Sequence, residues 1–246
     1  MRQTDFICKK WGQAIVELWN THHLPTGEGR ADHSRKNHKR YDIKHHGRVG
    51  GINMENITVG FALTGSFCTF AKVVPEIKKL SEAEGIRVQP IMSEMAYSTD
   101  TRFGKAEEFI WTIEDYTSNK IIHTIRDSEP IGPKNILDAL IIAPCTGNTL
   151  GKIANGVTDS CVTMAAKASL RNDNPLIIAV STNDALGANA KNIGALMNMK
   201  NVYFVPLGQD APHNKPTSLV AHMELILPTL RAALEGRQLQ PVILGP

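Results

Sequence analysis

The stretch Cys145-Thr146-Gly147-Asn148-Thr149 gathers a thiol, two hydroxyls, a side-chain amide and, at Gly147, backbone bare of a side chain. It follows the apolar run Ala139 to Ala143 and Pro144, and precedes Leu150, Ile153, Ala154 and Val157 at helical spacing. An uncharged run of this length reads as a strand buried on both faces, and Pro144 ends it because proline cannot donate to a central ladder. The helix then opens near Asn148 or Thr149. Hydroxyls, an amide and free N–H groups at a helix start hold anions, phosphate above all. A thiol at such a start would have its pKa lowered, although Cys145 reads first as a small buried hydrophobe.

Three further apolar runs end in polar turns. Ile57 to Leu63 leads into Thr64-Gly65-Ser66 and then a helical face of Val73, Val74, Ile77 and Leu80. Ile86 to Ser93 leads into Ser93-Glu94-Met95-Ala96, and Pro175 to Val180 into Ser181-Thr182-Asn183-Asp184. The first turn is not Gly-x-Gly-x-x-Gly and lacks the lysine of a phosphate-binding P-loop, which argues against a dinucleotide or nucleoside triphosphate. Between these runs, Tyr97 to Gly104 is polar and carries Asp100 and Arg102. Ala106 to Tyr116 reads as helix, Lys120 to Thr124 as a short strand and Pro130 to Lys134 as a stiff loop. Cys161 to Leu170 and Asn189 to Met199 read as helices, Val202 to Val205 as the last strand and Ala221 to Leu234 as the closing helix.

Short strands alternating with helices predict an α/β fold: a three-layer α/β/α, Rossmann-like domain with a parallel sheet wound right-handed. All four turns then share the carboxyl edge of the sheet, where open α/β folds bind ligands. Four neutral turns rich in hydroxyls and amides suit a ligand with one phosphate and many hydroxyl or carbonyl groups. Flavin mononucleotide fits that description.

The 246 residues, 42% of them apolar, suffice for a full core. The net charge of +3 is unevenly placed: residues 1–53 hold 10 Lys and Arg against 5 Asp and Glu, and 6 of the 9 histidines. Residues 54–246 carry 17 against 19, so the body has no charge argument for nucleic acid. Phe6 to Trp19 has a partly amphipathic helical pattern, but Thr21 to Gly51 has too few apolar anchors to fold and reads as disordered. Its histidines (His22, His23, His33, His38, His45 and His46) read as a solvated tail before a metal site. Four cysteines without paired or metal-type spacing point to free thiols, a cytosolic protein and no structural zinc. No apolar run is long enough to span a bilayer, and the start lacks the apolar core of a signal peptide.

The turns also carry a family resemblance. Gly65-Ser66, Ser93-x-x-Ala96 and Ala143-Pro-Cys-Thr-Gly-Asn-Thr-Leu-Gly-Lys-Ile-Ala-Asn-Gly resemble the flavoprotein family of phosphopantothenoylcysteine decarboxylase, the peptidyl-cysteine decarboxylases and flavin prenyltransferase. The family's Pro-x-Thr-Ala-Asn-Thr motif corresponds to Pro144–Thr149, with Gly147 in place of Ala. Within it, the segments beginning at Leu63, Ser98, Glu129, Met164, Ser181 and Tyr203 resemble the B subunits of bacterial dipicolinate synthase, over about Asn56 to Val242. That resemblance implies formation of a pyridine dicarboxylate in a sporulating bacterium. A partner A subunit would carry a nicotinamide dinucleotide, NAD(P), and the two would aromatise a cyclic dicarboxylate of the lysine pathway by dehydration and oxidation. It also implies a homo-oligomer with flavin buried between subunits.

On this resemblance Thr64, Gly65 and Ser66 hold the phosphate end of the flavin. Ser93, Thr146, Asn148 and Thr149 meet its ribityl chain or ring edge, and Ser181 and Asn183 border the ring or substrate. Two substrate carboxylates call for cations, with Arg102 the first candidate and Lys134 and Lys167 weaker ones. Arg102 serves equally as a surface ion-pair partner. Asp184 is a candidate to accept a ring proton, or caps the following helix. Two alternatives stay open: a flavin-dependent decarboxylase of cysteinyl substrates, and a non-catalytic subunit that activates its partner. Against the decarboxylase, no histidine stands in Tyr97 to Arg102, and Ser181-Thr182-Asn183-Asp184 keeps only Asn183 of the family's Pro-x-Met-Asn. His222 reads as a packing or surface residue.

Met54 directly precedes the first strand, so the expected native start is Met54, with residues 1–53 translated from upstream sequence. Mass spectrometry of the natively expressed protein should find its N-terminus at Met54 or just after; an earlier one refutes this start.

Overall fold

The computed structural model describes residues 56–245; the basic, histidine-rich segment 1–53 and its Phe6–Trp19 pattern lie outside the described residues. Five strands run parallel: β1 (Ile57–Leu63), β2 (Ile86–Met92), β3 (Ala139–Cys145), β4 (Leu176–Thr182) and β5 (Val202–Phe204). Their order is β2-β1-β3-β4-β5, so the winding reverses between β1 and β3. All seven residues of β3 and the first six of β4 are buried, as befits strands covered on both faces.

Helices follow the strands: α1 (Phe70–Ser81), α2 (Glu94–Ser98), α3 (Ala106–Thr117), α4 (Ile125–Ser128), α5 (Ile131–Lys134), α6 (Gly147–Ala154), α7 (Cys161–Arg171), α8 (Ala190–Met197) and α9 (Ile226–Leu234). In α1, Phe70, Val73, Ile77 and Leu80 form the buried stripe that the 3.6-residue period demands. Ser160 and Thr163 close a capping box that starts α7. Helices α1 and α9 pack on each other and on β3, while α7 packs on β3 and gathers α4, α5 and α6 around it. Right-handed crossovers on either side of the reversal put these two sets on opposite faces.

The strand β3 does not stop at Pro144. It continues to Cys145, and its register with β4 shifts between Ile142 and Cys145, which accommodates the missing proline donor as a bulge would. The Thr64 side chain then takes over the pairing. Its hydroxyl donates to the Pro144 carbonyl (2.7 Å) and accepts from the Thr146 N–H (3.0 Å). The next helix consequently starts at Gly147, with Thr146 as its N-cap.

The sheet is mixed rather than purely parallel. The strand expected at Val202–Val205 is followed by an antiparallel pair, β6 (Leu207–Gly208) and β7 (Leu219–Ala221). β5 occupies the first half of the edge of β4, at Leu176–Ile178, and β7 occupies the carboxyl half, at Ser181–Thr182. Ala221 is therefore strand, and the closing helix begins only at Ile226. These strands of two and three residues are too short for a period-2 signal. Lys120 to Thr124 makes a single bridge, Ile122 with Ile91, because Thr124 already caps α4 by accepting the Asp127 N–H (3.1 Å). Pro130 to Lys134 is helical, not loop, with Pro130 at the helix entry.

Ile141 is fully buried in the middle of β3. Ile141→Ala should cost about 2–5 kcal/mol, read from the urea unfolding midpoint at unchanged slope. A loss below about 1 kcal/mol would contradict this packing.

Candidate functional site

Four polar turns reach the carboxyl edge of the sheet, and a cleft of about 710 Å³ opens over three of them. From the first turn come Gly65 and Ser66, from the third Thr146, and from the fourth Ser181, Thr182 and Asn183. The Ser181 hydroxyl shares hydrogen bonds with Ser66 (2.8 Å) and Thr69 (2.7 Å), so the ends of β1 and β4 are tied across β3 by hydroxyls. The N–H groups of Gly65, Phe67 and Cys68 find no acceptor among the described residues. Free N–H groups beside three hydroxyls at a helix entry can hold an anion.

The other expected residues support or flank this cleft. Thr64 is buried beneath it, joining β1 to β3. Thr149 is buried too, its N–H bonded to the Thr146 hydroxyl (3.3 Å). Ser93 caps α2 by accepting the Ala96 N–H (3.3 Å), at the end of β2 and away from the cleft lining. Asn148 and Asp184 face a separate open depression with Lys152, Asn189 and Asn192. Both Asp184 oxygens are engaged: Thr182 donates its hydroxyl to one (2.6 Å) and Asn189 its amide to the other (2.7 Å). The carboxylate ties the fourth turn to the start of α8, whose N-cap is Asn189. Cys145 is fully buried, and burial pushes its thiol up, so it is the inert hydrophobe of the first reading. Burial likewise raises the Cys161 thiol to about 11, and its S–H donates to the Met92 carbonyl (2.9 Å).

Sequence reasoning placed the cations elsewhere. Arg102 is exposed and lies over the Phe103 ring (4.8 Å), and it is Phe103 that lines the cleft. Lys167 borders an apolar depression with Met199, and Lys134 ends α5; neither lines the cleft. The cleft's ammonium groups belong to Lys72, on the first turn of α1, and Lys215, in the loop between β6 and β7. Lys215 pairs with Asp210 at 3.2 Å. Burial alone would push the Asp210 carboxyl up, but hydrogen bonds from Ser218 and Lys215 outweigh it and hold the carboxyl below the usual range. A lysine in the first turn, at the end of a helix that disfavours cations, was the available signal for Lys72. The loop residues gave none, since they enter the site only through the pairing of β7 with β4.

A histidine does stand near the end of β2, although none occurs between Tyr97 and Arg102. His123, one residue beyond the bridge to Ile91, stacks on Tyr97 with centroids 3.7 Å apart. Its Nδ1 is buried without a partner among the described residues. The described residues contain no group of three or more His, Cys, Asp or Glu suited to a metal ion.

Residues 51–226 match the model of the flavoprotein family. The chain is 49% identical over 185 residues to the B subunit of dipicolinate synthase from Bacillus subtilis, covering 75% of this chain and 92% of that protein. Its fold is similar to the crystal structure of the B subunit of dipicolinate synthase from Bacillus halodurans, with TM-score 0.72 and 48% identity over 79% of this chain and 99% of that one. The FMN-dependent cysteine decarboxylase SpaF shares the fold at 18% identity, with TM-score 0.54 over 74% of this chain and 99% of that one.

Gly147 is where the chain departs from Pro-x-Thr-Ala-Asn-Thr, and the geometry gives the reason. A Cβ there would lie 2.8 Å from both Asp184 Oδ1 and Thr182 Oγ1, and would strike Asn189 Nδ2. Gly147→Ala should cost about 1–3 kcal/mol in urea unfolding through overpacking. A neutral or stabilised variant would show that the fourth turn yields freely.

Proposed function

Because the chain belongs to the flavoprotein family, in the group of the dipicolinate synthase B subunits, we propose that it is the flavin-mononucleotide-binding subunit of a two-subunit synthase. The complex would form pyridine-2,6-dicarboxylate by dehydration and oxidation of a dihydro- or tetrahydrodipicolinate intermediate of the lysine pathway, in the cytoplasm of a sporulating bacterium. The observation that carries the reading is one cleft that combines unpaired N–H groups, a hydroxyl cluster, an aromatic edge and two ammonium groups. Its 710 Å³ falls in the range of small-molecule and cofactor sites. No helix among the described residues is long and apolar enough to cross a membrane.

The residues fit a phosphorylated flavin. Gly65 and Ser66, on the buried support of Thr64, would hold the phosphate end, and Thr146, Ser181 and Asn183 would meet the ribityl chain and ring. When bound, the flavin supplies a reversible two-electron acceptor. The chain's own part is to orient the ligand with hydroxyls already fixed on one another, and to meet its phosphate with the free N–H groups of Gly65, Phe67 and Cys68. Asn148 and Asp184 lie beyond Thr182 and Asn183 in the adjacent depression, so ligand contact there requires a molecule that spans both concavities or a neighbouring subunit. A nicotinamide-binding A subunit would complete the enzyme, since this sequence has no dinucleotide fingerprint. Arg102, exposed and lying over the cleft-lining Phe103 ring, would meet that partner or the substrate.

One observation favours a second reading, a flavin-dependent decarboxylase of cysteinyl substrates. The His123–Tyr97 stack puts an imidazole at the sheet edge where the sequence neighbourhood had none. Carbon dioxide release from a cysteinyl substrate by the isolated chain would establish it.

The primary test is absorbance titration of the full chain with flavin mononucleotide. Saturable binding with a perturbed visible band is expected. Ser181→Asp, a carboxylate set among the cleft hydroxyls, should weaken it at least tenfold, and Asn148→Asp should weaken it less. With the A subunit and a nicotinamide cofactor, the loaded complex should form dipicolinate. No flavin binding, with the partner still activated, would leave the chain a non-catalytic subunit.

A further inference from the structure

Beside the cleft lies a smaller depression of about 200 Å³ lined by Gln209, His222 and Glu224. The two concavities share Lys72, Asp210 and Val220, so they are contiguous, with the Lys72 ammonium at their boundary. His222 follows β7 directly, and its N–H donates to the Pro206 carbonyl (2.9 Å), which anchors the backbone beneath the ring. Its Nδ1 faces Glu224 Oε1 at 3.1 Å. The ring occupies the space a side chain on residue 208 would need: a Cβ on Gly208 would lie 2.7 Å from Nε2. Nε2 has no hydrogen-bond partner among the described residues, and the side chain is 37% exposed.

We propose that His222 is the acid–base residue for the dehydration of the substrate, with Glu224 as its positioning residue and Lys72 as the anchor of one substrate carboxylate. The assignment rests on the proposed function, whose dehydration step requires a hydroxylated cyclic dicarboxylate. The arrangement is that of a general base: one ring nitrogen is oriented by a carboxylate, and the other has no protein partner on a ring that lines a concavity. The remaining ionisable groups at this boundary are less suited. Lys72 is an ammonium, and Asp210 is committed to Lys215. Lys72 makes no ion pair among the described residues, and it sits where the helix end gives it no compensating charge. An incoming carboxylate would neutralise it.

In the step assigned here, Nε2 takes a proton from the ring carbon next to the one bearing the hydroxyl. The C–H electron pair becomes the new ring double bond and the C–O bond breaks. The departing hydroxide takes the proton back from Nε2 and leaves as water, so the imidazole is regenerated and no oxidant is needed. Oxidation of the resulting ring then falls to the flavin or nicotinamide side of the complex. This gives the chain a share of the chemistry that does not depend on its cofactor.

The test uses the full chain with its A subunit, following dipicolinate formation against pH. His222→Gln should lower kcat roughly a hundredfold or more while KM stays within about twofold, and should abolish the limb on which the rate rises with pH. Glu224→Gln should lower kcat roughly tenfold with KM unchanged, because the ring loses the carboxylate that orients its Nδ1. Lys72→Met should raise KM roughly tenfold. A wild-type rate in His222→Gln, or a slowed rate on an unchanged limb, overturns the proposal. If the wild-type complex forms no dipicolinate, the proposed function fails, and the histidine is read separately from its ring proton resonances. Added dipicolinate should shift those of His222 in the wild type and not in Lys72→Met; no shift in the wild type overturns the site.

Discussion

A single buried hydroxyl holds the centre of this site together. Pro144 lies in a central strand but has no N–H to give, so the ladder there must change partners or fail. The Thr64 hydroxyl bridges the gap, donating to the Pro144 carbonyl and accepting from the Thr146 N–H. It joins the ends of β1 and β3 at the point where the winding of the sheet reverses. There the crossovers leave in opposite directions, and the strand ends are free of covering helix. The cap of α6 depends on the same link, since Thr146 must be held for its own hydroxyl to receive the Thr149 N–H.

The rest of the cleft is built outward from that point. Ser66, Thr69 and Ser181 satisfy one another across the width of β3, which fixes hydroxyl positions at no cost in unpaired polar atoms. On the far side, Asp184 collects Thr182 and Asn189, and this cluster presses close enough on residue 147 to demand glycine. The two networks divide the labour. Hydroxyls line the cleft, while the carboxylate lies outside it and fastens the turn that carries Asn183.

The divided edge of β4 gives the site its second wall. β5 stops early and leaves the carboxyl half of β4 open, and β7 pairs there in the opposite direction. That pairing imports Asp210, Lys215, Ser218 and His222 to the same edge as the four turns. Charge enters the site through this wall and through the first turn of α1, whereas the turns themselves are neutral. Reading only the turns therefore finds the hydroxyls and amides of the cleft and misses its charged groups.

The sequence alone determined the α/β alternation, because strands buried on both faces are apolar throughout and helices show their period. It also determined the turns, because small polar residues after an apolar run can only be the strand ends. Gly65, Ser66, Thr146, Ser181 and Asn183 were legible as strand-end residues on that ground, and all five line the cleft; the family followed from the same turns. Which side of a turn each residue faces was not legible. Asn148 and Thr149 are adjacent in the chain, yet one is exposed in the neighbouring depression and the other buried, since successive helical residues point about 100° apart. Lys215 and His222 were decided by tertiary structure alone, and Lys72 was marked in the sequence only by its place in the first turn of α1. Their places depend on a helix axis and on strands of two and three residues, and pairings that short carry no periodic signal; the contacts that hold them are long-range.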